Sequence, residues 1–103
     1  MSKENSDKKD HRSGRFNDNM TPADLNRWLK YVKARSMSFQ IEKELESDVK
    51  ELMETWNDIN NYNGPKKMNG AWEQNYWNSL VKLDFLFVSL QEKHRNLIRK
   101  RSS

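Results

Sequence analysis

Between Trp72 and Leu97 the chain carries apolar side chains on more sides of a helix than one neighbour can cover. At about 100° per residue, Trp72, Tyr76, Leu83, Leu86, Phe87, Leu90, His94 and Leu97 form one broad stripe. Trp77, Val81, Phe85 and Val88 form a second, shorter stripe, and the line between them, Glu73, Asp84, Gln91 and Arg95, is interrupted by Leu80. The middle of the segment is therefore apolar over about 260° of its girth, where the surface helix of a monomer needs little more than about 100°. Each large side chain left wet forgoes about 1.5 to 3 kcal/mol. Two covers are required, and the sequence must supply them or borrow one.

The first cover is visible just upstream. Ile41, Leu45, Val49, Leu52, Trp56 and Ile59 recur at coiled-coil-like spacing, and Asn60-Asn61-Tyr62-Asn63-Gly64-Pro65 then stops the helix with residues that favour turns. Residues 38 to 63 carry seven acidic and two basic side chains, whereas residues 64 to 103 carry eight basic and three acidic. An acidic helix followed by a basic one reads as an antiparallel hairpin, its charges adding little beyond the apolar seam. A further helix begins upstream at Thr21-Pro22-Ala23-Asp24. Thr21 is the N-cap, Pro22 stands at the first helical position, and Met20 and Leu25 are placed to staple across the cap. Leu25, Trp28, Leu29 and Val32 follow at helical spacing. Near Ser36-Met37-Ser38 the apolar phase slips, so the helix bends there or a second one starts on a serine cap.

The expected fold is all-α, a helical hairpin with an additional N-terminal helix, in a three-helix, coiled-coil-like arrangement. Residues 1–19 mix five basic and four acidic side chains with the single aromatic Phe16 and read as a disordered N-terminal tail. Residues 20–103 form one helical interaction domain with helices near 22–35, 38–61 and 70–101. In 103 residues with 34% apolar content the core is small, which makes uncovered apolar surface hard to sustain. The covering partner is therefore expected to be protein, either a second copy or a helical hetero-partner. Its anchors are Trp28, Trp56, Trp72, Tyr76, Trp77, Val81, Phe85, Phe87 and Val88.

Reactive chemistry is scarce. The chain has no cysteine, and its two histidines, His11 and His94, lack partners at metal-ligand spacing. His94 falls on the apolar seam and reads as a packing residue, and the acidic residues between Glu42 and Glu54 read as a solvated face. No phosphate-binding glycine loop or serine elbow is present. An enzyme is not expected, nor any cofactor or metal. Asp84, flanked by apolar stripes, needs a polar partner if buried. Lys66 and Lys67, in the turn before the last helix, sit where an anion can be attracted. The alternative function is sequence-nonspecific binding of an RNA or DNA backbone. It would use Arg27, Lys30, Lys33 and Arg35 together with Arg95, Arg99, Lys100 and Arg101 on a helical dimer. No apolar run is long enough to span a membrane and no secretory signal opens the chain, so an intracellular protein of cytoplasm or nucleus is expected.

Overall fold

The computed structural model describes residue 16 and residues 19–102; the expectations for the rest of the tail, His11 included, and for Ser103 fall outside them. The three expected helices are present. Helix α1, Pro22–Gln40, opens with a complete capping box: the Thr21 hydroxyl accepts from the Asp24 backbone N–H at 3.1 Å, and the Asp24 carboxylate accepts from the Thr21 N–H at 3.2 Å. Those two bonds satisfy donors that a helix start leaves open, and hydrogen bonds from the Thr21 backbone and side chain hold the Asp24 carboxyl below its usual pKa, with Arg27 adding to the effect.

α1 does not end or recap at Ser36. The Ser36 hydroxyl bonds back to the Lys33 carbonyl at 2.6 Å and lies 3.4 Å from the Met53 sulfur, so the residue is buried inside a continuous helix. Counting Ser36 as an inward position restores the phase, with Leu25, Trp28, Leu29, Val32, Ser36 and Phe39 all buried. The break comes five residues later. Ile41, expected on the seam, caps α1 instead and stands 80% exposed, because the chain leaves the helix there through Glu42 and a 3-10 turn at Lys43–Leu45.

Helix α2, Glu46–Asn60, is shorter than expected at its start and carries the seam from Val49 through Leu52 and Trp56 to Ile59. It runs antiparallel to α1. The Trp56 indole donates to the Leu29 carbonyl at 2.9 Å at one level, and Ser36 meets Met53 at another.

The connection to the last helix is a β-hairpin, which replaces the expected early helix start at Gly70. Strands β1, Lys67–Met68, and β2, Ala71–Trp72, pair antiparallel around Asn69-Gly70. Both turn residues have positive φ, 51° and 82°, as a two-residue turn that matches strand twist requires. The ladder extends to Glu73, whose N–H donates to the Lys66 carbonyl at 2.9 Å.

Helix α3, Gln74–Ser102, then starts on Glu73, whose carboxylate accepts from the Tyr76 N–H at 3.0 Å and from the Tyr62 hydroxyl at 2.8 Å. One flank of α3 faces α2, reaching Asp48 with Lys93 at 2.8 Å and Glu51 with Lys82 at 4.0 Å. The other flank faces α1, where Phe87 meets Phe39 and Tyr31, and His94 packs on the Phe39 ring at 5.2 Å. α1 and α3 thus run the same way with α2 reversed beside them. The core, from Leu25 through Leu52 to Leu90, lies where the three meet.

Candidate partner-binding face

With its flanks turned to α1 and α2, α3 keeps a third side that no helix covers. Val81 stands 44% exposed and Phe85 71% exposed on it, with Val88 half-buried at its edge. Spacings of four and three residues bring these side chains into one line on the helix surface. The molecule is only 17 Å along its thinnest axis. Layers of helices lie about 8 to 10 Å apart, so this thickness holds about two layers. Beyond Val88 the same line becomes charged, with Glu92 paired to Arg95 at 3.2 Å. The apolar part is thus a bounded patch in the middle of the longest helix.

The expected anchors separate into three groups. Trp28, Trp56, Tyr76 and Phe87 are core residues, which corrects their assignment to a partner. α1 covers more of α3 than the hairpin alone would, and Trp56 is fixed by its bond to Leu29. Trp72 and Trp77 are half-buried at the hairpin end, where the Phe16 ring lies 6.0 Å and 4.6 Å from them and 5.7 Å from Trp28. Phe16, a member of the tail segment, is itself buried; nothing in the periodicity of its neighbours signals this. Val81, Phe85 and Val88 remain as the uncovered group.

The cations expected to bind nucleic acid are spread over several internal tasks. Arg27 pairs with Asp24, Arg95 with Glu92, and Arg101 with Glu42 through both terminal guanidinium nitrogens. Lys33 sits over the Trp56 ring at 4.7 Å and Arg35 over Phe39 at 5.2 Å. Lys30, Arg99 and Lys100 are exposed. The Glu42 carboxylate is buried by its surroundings, and the Arg101 guanidinium, with a smaller contribution from His94, holds its pKa below the ordinary value. Among the described residues no group of three His, Asp or Glu side chains is placed to hold a metal, and no helix is long and apolar enough to cross a membrane. Asp84 is half-buried on the side of α3 between the Phe85 line and α1. Compared with family models, curated proteins and solved structures, the chain matches none of them.

Proposed function

We propose that this chain is a small helical assembly subunit that joins a second copy or a helical partner through the outward face of α3. The observation that carries the reading is Phe85, a large apolar side chain 71% exposed in the middle of a well-formed helix, with Val81 and Val88 beside it. Burying such a group typically contributes about 1.5 to 3 kcal/mol, and aromatic side chains dominate the energetics of interfaces of this kind. No step of catalysis is assigned to any residue. Binding of a phosphate backbone is the weaker alternative, because Arg27, Arg95 and Arg101 already hold carboxylates within the chain.

Light scattering across a dilution series tests the proposal. The wild-type chain should associate, alone or with a co-purifying helical protein, and Phe85→Glu should remove the association while leaving helix content unchanged. A chain that stays monomeric at high micromolar concentration and co-purifies with nothing would overturn it. Binding to duplex or RNA that weakens steeply with added salt would favour the alternative.

A further inference from the structure

The hairpin end of the bundle holds a different kind of site. Trp28 from α1, Trp72 from β2 and Trp77 from α3 surround one ring, Phe16, at centroid distances of 5.7, 6.0 and 4.6 Å. Three indoles contributed by three separate elements make a slot sized for one aromatic side chain. Its occupant belongs to no helix or strand and reaches α1 through residues 17–21 alone. Trp28 is buried, and its Nε1 donor has no acceptor among the described residues. Buried donors are nearly always paired, so a segment that offers an acceptor to this indole would be favoured.

The rim is cationic. Lys67 Nζ lies 4.6 Å from the Trp72 ring centroid, and Lys66 Nζ lies 5.8 Å from that of Tyr76, which stacks on Trp72. The nearest acid along the chain, Glu73, is committed to Tyr62 and to the Tyr76 N–H. Carboxylates flanking an incoming aromatic residue would meet two ammonium groups against the single Glu73 carboxylate, which is already held by neutral donors.

We infer that this slot is a docking site for an extended acidic peptide segment of a partner protein, inserted through one aromatic side chain, and that Phe16 is the resident ring which such a segment displaces. Phe16 competes from within the chain with any outside segment, so the apparent affinity for that segment falls by the fraction of slots left open. Removing the Phe16 ring raises the affinity for an outside peptide. The site is separate from the Phe85 face and stands whether or not that face assembles.

The experiment titrates full-length wild type and Phe16→Ala with blocked ten-residue peptides carrying one Phe between Asp and Glu residues, read by tryptophan emission and by the Trp28 indole N–H resonance. Phe16→Ala should bind this peptide at least about tenfold more tightly than wild type. Replacing the peptide Phe by Ala should abolish binding, and Lys67→Glu should weaken it. Equal response to the Phe and Ala peptides, or no binding by either protein, would overturn the inference. Should Phe16→Ala lose its helix content, the wild-type titration decides alone, and silence there also overturns it. Binding only of a peptide copied from residues 10–20 of this chain, and not of the acidic one, would replace the inference with exchange of arms between copies.

Discussion

Two apolar groups, one where the hairpin meets the start of α3 and one in its middle, have opposite fates. Around Trp72 and Trp77 the helix start is sealed by the hairpin, by α1 and by Phe16; one to two turns further on, Val81 and Phe85 face outward and stand exposed among the described residues. The difference lies in how far the neighbours reach. An apolar stripe is buried only where another segment passes over it, and here the covering segments gather at one end. Periodicity reports which side chains share a face and is silent about which face receives a lid.

The contrast can be broken most sharply at Phe87, two residues from Phe85 and nearly fully buried between α1 and α3. Phe87→Ala should lower the free energy of unfolding by about 3 to 5 kcal/mol in denaturant titration. Trp56→Phe keeps most of the ring's apolar bulk and removes the bond to the Leu29 carbonyl, and a loss of about 1 to 3 kcal/mol is expected by the same measurement. Gly70→Ala, placed at φ 82° in the turn, should cost about 1 kcal/mol in the same titration.

A milder, pH-dependent effect belongs to the carboxylates that hold the joints. Asp24, Glu42 and Glu73 all have pKa values lowered in the folded chain, chiefly by hydrogen bonds from Thr21, from Arg101, and from Tyr76 and Tyr62. A lowered folded pKa means that the unfolded chain binds protons first as the solution is acidified. The stabilisation is thus present above the ordinary carboxylate values and is lost as pH falls through the lowered ones. Thermal melts should show a falling midpoint on the acid side, with a shallower slope in Glu42→Gln. Smallest of all, Phe85→Ser should change the monomer's unfolding free energy by no more than about 0.5 kcal/mol, which sharpens the comparison with Phe87.

Much of the fold was legible in the sequence. The Thr21-Pro22-Asp24 start and the Val49 to Ile59 seam stand as the chemistry of caps and spacing predicts. Two features were misread for identifiable reasons. Ser36 looked like a cap because a serine hydroxyl satisfies a helix start, yet the same hydroxyl satisfies itself on the preceding turn once Met53 packs against it. Asn69-Gly70 is a strong hairpin signal, but the flanking strands are only two residues long and show no alternation to detect. The candidate face was only partly legible. The second stripe of α3 was visible as a set, whereas its division into covered Trp77 and bare Phe85 depends on Phe16, a lone ring amid charges with no period to reveal it.

Arg101 grips Glu42 across 59 positions of chain. That grip ties the last turn of the longest helix to the elbow between the first two, so the polypeptide is knotted into a loop by charge where no cysteine exists to do it by covalent bond. Fraying of the final turn would release the Glu42 carboxylate at the elbow 59 positions earlier.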